Sequence, residues 1–446
     1  MLCTLRNHAG MTIRHASRPI AFVLAMAACM LPSFGHALTL QEGLKIVTES
    51  GRDVSIARSD EDVARGAVSL ARSPWLPWVD LYGRETWLRY EPQAKVPTGA
   101  FSLSQDQYAT YGFRATQLIY DFGRTSSSIS AANYSLKARE AGTLHTKNRA
   151  ALDFIGAYFD LLEAEELLKV AQEEVTQYQA HRKDAAARLK AGVVTRNEVL
   201  QAEVMLADSQ QRLLTAENTR ILRASRVNSI LMRPLTAEVH PSEITGSPPV
   251  PVSLEEAWAA AVSQNPDLQD LDARIRAKEE SVSSLRGEYL PSIFVAGGYE
   301  YNENQYMVNQ YNWSLIAGVN ISLFAGGSTD AKVGMAKSEV SSLRAAREKL
   351  LDAVRMEVQA AWLEVQLSQK KIQVALAAVG QAQENLRLQR IRYQEGVATS
   401  TEVLDAVTLM TVSETNAWKA NFGLKRSEAA LLYAVGRDLA SSYDRR

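Results

Sequence analysis

Between Asn312 and Leu323 apolar and small polar residues alternate. Trp313, Leu315, Ala317, Val319, Ile321 and Leu323 fall on one face, and Asn312, Ser314, Gly318, Asn320 and Ser322 on the other, with Ile316 the exception. Period two is the mark of a β-strand. A run of this length also meets the roughly 9–11 residues a tilted strand needs to cross a bilayer. Tyr108–Ile119 alternates in the same way, with Ala109, Tyr111, Phe113 and Ile119 on the apolar side. Trp78–Tyr90 and Ser292–Tyr301 are their expected partners, so strands are expected at about 78–90, 107–119, 292–301 and 311–324. Tyr and Trp near the strand ends suit interfacial girdles. Alternation alone favours two soluble hairpins packed on a core, and it is the secretory signal at the N-terminus and the flanking helices that turn the reading to membrane strands. If the strands do lie in lipid, four cannot close a barrel, and an open edge there leaves backbone groups unsatisfied. The strand count then calls for several copies of the chain.

A second periodicity runs from Ser328 to Gln394. Val354, Ala361, Ser368, Ala375 and Ala382 recur every seven residues, and Val358, Val365, Ile372, Val379 and Leu386 follow four positions later. Small and larger apolar layers in a heptad allow close side-by-side helix packing. Gln, Lys, Glu and Arg on the other faces keep such helices wet on at least one side. Proline, which breaks helix interiors, is absent between Pro97 and Pro234 and after Pro291. The matching first-half span is about Thr125–Ala191, and helices of this length reach roughly 100 Å. Taken alone the heptads fit a plain coiled-coil spacer as well as a tunnel wall.

The two halves repeat each other. Leu40-Gln41-Glu42 and Leu254-Glu255-Glu256 lie 214 positions apart, as do Leu76-Pro77 and Leu290-Pro291. Tyr120-Asp121-Phe122-Gly123 and Phe324-Ala325-Gly326-Gly327 lie 204 apart, as do Gly192-Val193-Val194-Thr195 and Gly396-Val397-Ala398-Thr399, and Glu198-Val199-Leu200 and Glu402-Val403-Leu404. One duplication with ten extra residues in the first hairpin accounts for every offset. Each half reads helix, Leu-Pro, two extended segments, Gly, long helix, Gly turn, long helix. The expected division is a signal segment 1–37, a first repeat 38–233, a linker 234–253 with five prolines, a second repeat 254–438 and a tail 439–446.

Composition changes the picture at the N-terminus. Arg14 and Arg18 precede an apolar run from Ile20 to Leu31 and then Gly35-His36-Ala37, the pattern of a secretory signal cut before Leu38, better started at Met11 than Met1. Met26-Ala27-Ala28-Cys29 is the rival reading, a lipobox with Cys29 acylated. Both cysteines, Cys3 and Cys29, precede the cut, which leaves the mature chain no thiol, disulfide or cysteine-ligated metal. No later stretch has the roughly 18 consecutive apolar residues of a membrane helix. The chain carries 49 basic and 50 acidic residues, net charge -1, which gives no footprint for nucleic acid.

A search for chemistry finds little. After the signal segment the histidines are His145, His181 and His240, too scattered for a metal site. No nucleophile motif surrounds a serine, and no glycine run cradles phosphate. No cofactor, metal or catalytic residue is expected, and the chain is not read as an enzyme.

The duplication, the Leu-Pro before and Gly after each hairpin, and the paired segments Arg188-Leu189-Lys190-Ala191-Gly192-Val193-Val194-Thr195 and Arg392-Tyr393-Gln394-Glu395-Gly396-Val397-Ala398-Thr399 resemble the TolC-like outer membrane factor family across essentially the whole mature chain. The resemblance implies a mainly α fold with membrane β. A homotrimer would pool four strands per protomer into a twelve-stranded barrel in outer-membrane lipid. Its long helices would form a periplasmic α-tunnel closed at the far tip. It also implies a passive exit duct for efflux or type I secretion, working with a periplasmic adaptor and an inner-membrane transporter. Glu402 and Asp405, three residues apart on a helix and so on one face, match the family's acidic pore entrance. In a trimer they would ring the pore with carboxylates that attract cations and raise one another's pKa. Their plainer reading is a solvated helix start with acids at the positive dipole end. Tyr393 and Glu198 match positions whose hydrogen bonding holds the tip closed. The family's nearby arginine is Ala398 here, and Arg196 is the candidate replacement. Gly192 and Gly396, with Arg188, Leu189, Thr195, Arg392 and Thr399, are the expected adaptor-docking tips. The competing function is a non-conducting exported coiled-coil scaffold anchored in the outer membrane.

Overall fold

The computed structural model describes residues 38–242 and 248–444, so the expected signal, cleavage and lipidation features in 1–37 lie outside the described residues, as do parts of the linker and tail. Each half begins with a short capped helix. In α1 (Leu40–Ser50) the Thr39 hydroxyl accepts from the Glu42 N–H, and the Glu42 carboxylate accepts from the Thr39 N–H. In α5 (Leu254–Gln264) the Ser253 hydroxyl accepts from the Glu256 N–H. These caps satisfy N–H groups that a helix start otherwise leaves bare. Next come α2 (Arg52–Arg72) and α6 (Pro266–Arg286), each 21 residues and each ending just before Leu-Pro.

The extended segments form one antiparallel sheet of four strands, in spatial order β1 (Trp78–Trp87), β4 (Gln107–Tyr120), β5 (Ser292–Asn302) and β6 (Tyr311–Asn320). The pairing of β4 with β5 joins the two halves, while β1 and β6 keep a free edge. The loop between β1 and β4 carries a small hairpin, β2 (Gln93–Val96) and β3 (Gly99–Ser102), where the repeat offset changes. Two strands end earlier than the alternation suggests, at Trp87 rather than about residue 90 and at Asn320 rather than 324. A bulge between Leu118 and Tyr120 leaves Ile119 out of the ladder.

The cross-strand register sorts the two faces. Val79, Leu81, Phe113, Val295, Trp313 and Leu315 share one face; Asp80, Arg84, Arg114, Glu300, Asn312 and Ser314 share the other. Leu81 and Leu315 are 87% and 83% exposed, so the protomer offers nothing to cover the apolar face. Tyr111 stacks on Tyr301 with centroids 5.0 Å apart, and Trp313 sits 5.0 Å from Tyr299, an aromatic band near one end of that face. On the polar face the Tyr82 hydroxyl donates to Glu300 across 2.8 Å. Polar exceptions on the apolar side are Gln117, whose amide donates to the Trp75 carbonyl, and the pair Glu85 and Gln107, bonded to each other near the far end of β1 and β4.

From the sheet run two 67-residue helices, α3 (Arg124–Lys190) and α7 (Ser328–Gln394), close to their expected spans. Each turns at its far end into a 35-residue return helix, α4 (Arg196–Ile230) or α8 (Ser400–Ala434). Towards the sheet α2 lies against α3, and α6 lies against both α3 and α7; towards the tips α4 lies against α3, and α8 against both α3 and α7. Every residue of the two heptad rows on α7 is buried or half-buried, Val358 at 0% exposure. The main core lies midway, where α1 and α9 (Leu439–Asp444) cross the long helices and bury Leu44, Phe154, Tyr158, Phe159, Leu432 and Leu439. There the Tyr158 hydroxyl donates to the Leu38 carbonyl at 2.8 Å, closing a polar group inside an apolar core. Among the described residues no helix is long and apolar enough to cross a membrane.

Candidate functional site

The two far turns are built alike. In the first, the Gly192 N–H reaches the Leu189 carbonyl and the Val193 N–H reaches the Arg188 carbonyl, both at 3.0 Å. In the second, Gly396 bonds Tyr393 at 3.1 Å and Val397 bonds Arg392 at 2.9 Å. This is the Schellman ending, which places one residue in the left-handed region. Gly192 and Gly396 supply it, with φ of 68° and 74°. Thr195 and Thr399 then open α4 and α8 from extended backbone. Leu189 is half-buried, and Gly192, Thr195, Arg392, Gly396 and Thr399 are all exposed.

The capping chemistry of the two tips differs. Thr399 and Glu402 form a capping box: the Thr399 N–H and hydroxyl donate to Oε1 at 3.4 and 3.2 Å, and the Thr399 hydroxyl accepts from the Glu402 N–H at 3.4 Å. The other Glu402 oxygen lies 3.5 Å from the Arg392 guanidinium. Asp405, one turn on, is exposed and takes no hydrogen bond or ion pair among the described residues. At the first tip Thr195 makes no side-chain cap, and Glu198 instead accepts from the Tyr393 hydroxyl of the second tip at 3.5 Å.

Tyr393 is 3% exposed. Burial, then the nearby Glu198 charge, pushes its phenol up to about 12, so it stays a neutral donor at neutral pH. The Arg188 guanidinium lies 4.7 Å over its ring and donates to the Gln394 carbonyl at 3.0 Å. The guanidinium that meets Tyr393 is therefore that of Arg188, whereas the Arg196 side chain makes no hydrogen bond or ion pair among the described residues. Arg196 is the first residue of α4, and its side chain leaves from an exposed helix start.

Sequence reasoning missed a further tie. The His181 ring sits 5.1 Å from that of Tyr393, and its Nε2 is 2.7 Å from the Ser400 hydroxyl at the start of α8. One turn towards the sheet the Tyr178 hydroxyl pairs with Thr408 at 2.9 Å. The signal was present: Tyr178, His181 and Ala185, at helical spacing, form the buried stripe of α3 that faces α8. Farther from the tip Glu174, 3% exposed, takes two hydrogen bonds at 2.9 Å from Arg212, locking α3 to α4. Among the described residues no group of three or more His, Cys, Asp or Glu could hold a metal ion.

The arrangement offers no nucleophile–base pair open to a substrate, because Ser400 is 0% exposed. What it can do is hold two helical hairpins together, or release them, at the end of a long helical wall. Comparison with known proteins shows the family. The family model described as Outer membrane efflux protein matches residues 44–231 and 259–437. The chain is 24% identical over 372 residues to outer membrane efflux protein BepC of Brucella suis biovar 1 (strain 1330), spanning 78% of this chain and 77% of that protein. It is 22% identical over 390 residues to nodulation protein T of Rhizobium leguminosarum bv. trifolii, spanning 86% and 81%. The crystal structure of the outer membrane protein VceC from Vibrio cholerae superposes with a TM-score of 0.76 at 17% identity, over 90% of this chain and 96% of that one. The chain thus belongs to the outer membrane efflux protein family: it is an outer-membrane efflux channel protein with the TolC-like fold.

Proposed function

We propose that three copies of this chain close into a passive exit duct whose periplasmic tips take cargo from an adaptor and an inner-membrane transporter. The observation that carries the reading is the four-stranded sheet with two free edges, apolar outside and polar inside, continuous with a wall of helices. In lipid the edges of β1 and β6 must be paired, and the next protomer's opposite edge is the partner that closes a ring. The flanks of the helical wall match this. Ile56, Val63 and Leu70 stand exposed at seven-residue intervals on α2, and Met356, Leu363 and Val374 are exposed on α7. The two repeats 38–233 and 254–438 then supply alternate staves of one barrel, joined through the linker 234–253.

At the tips, Tyr393 and Glu198 with Arg188 hold the closed state. Asp405 is the free carboxylate of the entrance, while Glu402 contributes charge only beyond what its cap and Arg392 absorb. The turns around Gly192 and Gly396, exposed at Thr195, Arg392 and Thr399 and half-buried at Arg188 and Leu189, are the docking points for the adaptor.

The test is single-channel recording of detergent-purified protein in planar bilayers, wild type against Glu402→Ala plus Asp405→Ala. Cation-selective openings that lose selectivity in the double variant support the duct and its acidic entrance together. Selectivity unchanged by the substitutions moves the filter elsewhere. A folded protein that never conducts, even with its tip ties removed, overturns the duct in favour of a non-conducting anchored scaffold.

A further inference from the structure

We propose that His181 is a proton-sensitive positioning residue of the closed tip: neutral, it clamps the start of α8 and the Tyr393 ring onto α3, and protonated it releases them. The inference rests on reading the chain as a duct with a closable tip. His181 is 7% exposed and Ser400 is 0% exposed, so their 2.7 Å contact is shut off from water. The same imidazole lies against Tyr393, which Arg188, also on α3, and Glu198 on α4 hold in place. One side chain of α3 therefore touches both helices that must leave it when the α7–α8 tip moves away from the α3–α4 tip.

The surroundings favour the neutral ring. On α3 itself Asp184 and Arg188 face it; on α7, Arg390 and the neutral Tyr393; on α4, Glu198, reached only through Tyr393; on α8, only the Ser400 hydroxyl. Asp184, the one carboxylate acting directly on it, is paired to Arg188 with 3.4 Å between Nε and Oδ2. Burial holds the His181 pKa below the ordinary histidine value; Asp184 opposes this, and Arg390 and Arg188 add to it. An imidazolium could still donate to Ser400, so protonation breaks no bond outright. It places a third cation beside two guanidiniums in a desolvated site, which the tip relieves by letting water in.

The sign follows by linkage. The open tip solvates the ring and gives it the higher pKa, so protons bind the open state more tightly. Closure is fully supported above the ordinary histidine pKa and is lost as pH falls through the lower, closed-state value. Each unit between the two values is worth about tenfold in the open–closed equilibrium.

Two readouts test this on the full-length trimer in detergent or bilayers. In planar bilayers, open probability is expected to rise about tenfold or more between pH 7.5 and 5.0 in wild type. It should stay flat in His181→Gln, which keeps a hydrogen-bonding neutral side chain. The variant Arg188→Ala plus Tyr393→Phe, with its tip ties cut, should conduct at both pH values. If it conducts while wild type is flat with pH, or if His181→Gln keeps the full wild-type response, the latch is wrong and the duct stands. If nothing conducts, the duct reading fails, and the latch is judged by a second measurement that needs no pore. Spin labels at Val193→Cys and Val397→Cys, both on exposed turn residues, report the distance between the two tips. Broadening towards longer distances at pH 5.0 in the wild-type background, absent with His181→Gln, supports the latch. Identical distributions at both pH values, or equal broadening with His181→Gln, overturn it.

Discussion

Glu198 and Glu402 occupy the same position, three residues after the N-cap threonine of a return helix, yet only Glu402 caps its own helix. Glu198 is drawn across the gap to the Tyr393 hydroxyl, leaving Thr195 without a side-chain cap. The duplicated Thr-x-x-Glu pattern has thus been divided between a local and a tertiary task. Glu198→Ala should raise channel open probability with little change in helix content, since its carboxylate bonds the other tip. Glu402→Ala should cost the start of α8 about 1 kcal/mol through the lost box. Hydrogen exchange at residues 400–403 would register the second, and bilayer recording the first. Equal gating effects from both substitutions would show that the two glutamates are not divided in this way.

Arg188 and Tyr393 should not count equally in closure. The Tyr393 hydroxyl reaches Glu198 at 3.5 Å, the outer limit of a hydrogen bond. Arg188 lies over the ring and also caps the Gln394 carbonyl. Removing the guanidinium forfeits a partly buried cation–π contact and a charge-assisted bond, together about 1–3 kcal/mol. Arg188→Ala is therefore expected to open the tip more than Tyr393→Phe, by about tenfold in open probability. The reverse order in single-channel records would place the closing strength in the phenol instead.

Much of this architecture is legible in the residues. Ser328–Gln394 is a proline-free heptad span bounded by Gly327 and Gly396, and its helix has the expected ends. The strands are less exact because pairing, not alternation, ends a strand. Ile321 and Leu323 continue the pattern, but β5 begins at Ser292 opposite Asn320, after Pro291, which has no N–H to donate. Likewise β1 stops at Trp87 opposite Gln107, and Leu88 turns off to bond the Asp106 carbonyl. The four-residue strands β2 and β3 are too short to show a period at all. At the tips the sequence marks Tyr393 and Glu198, but the role of Arg188 depends on a contact 205 positions away in the chain and has no local signature. His181 stayed hidden for the same reason, since its partner Ser400 lies on the other repeat.

The turn glycines make a quantitative case. No atom lies within 4 Å of a Cβ added at Gly192 or Gly396, so substitution meets no clash. The cost is conformational, about 1 kcal/mol for an L-residue in the left-handed region. Gly192→Ala and Gly396→Ala should each loosen their turn by about that amount while leaving the thermal unfolding of the mid-length core unchanged. Asparagine, which tolerates the region better, should recover part of the loss. A fall in overall melting temperature of many degrees would mean the tips are coupled to the core more tightly than their exposure suggests.

His145 makes a pH prediction of the opposite sense to that of His181. Its Nδ1 lies 2.8 Å from the Asp267 carboxylate at the start of α6, and that hydrogen bond raises its pKa against some burial. The folded state binds the proton more tightly, so this tie is fully present below the ordinary histidine value and is lost as pH rises through the raised one. The site is partly exposed, so salt should weaken the tie. Thermal melts should show wild type losing stability relative to His145→Gln between pH 6 and 8. A difference that grows on acidification below pH 6 would contradict the pairing.

The most demanding prediction concerns the open flanks, because it separates a stave of a barrel from a free-standing hairpin protein. Val63, in the middle of the α2 stripe, is 73% exposed and flanked at seven-residue spacing by Ile56 and Leu70. In the protomer these side chains contribute little to folding, since exposed positions are nearly neutral to substitution. If the next copy's α7 covers them, a charge at Val63 would be buried unpaired, at a cost of several kcal/mol repeated three times around the ring. Val63→Arg should therefore leave the helix content and the mid-length core of the monomer intact while shifting the protein from trimer to monomer in native mass spectrometry. Outer-membrane insertion should fall with it, because β1 and β6 then enter lipid with unpaired edges. A second probe is an arginine at Met335, exposed to 67% near the sheet-side end of α7, the half of that helix level with α2. It should produce the same dissociation if α7 of one copy covers α2 of the next. A variant that remains fully trimeric with Arg at Val63 would mean that this stripe faces water or the adaptor rather than the neighbouring copy.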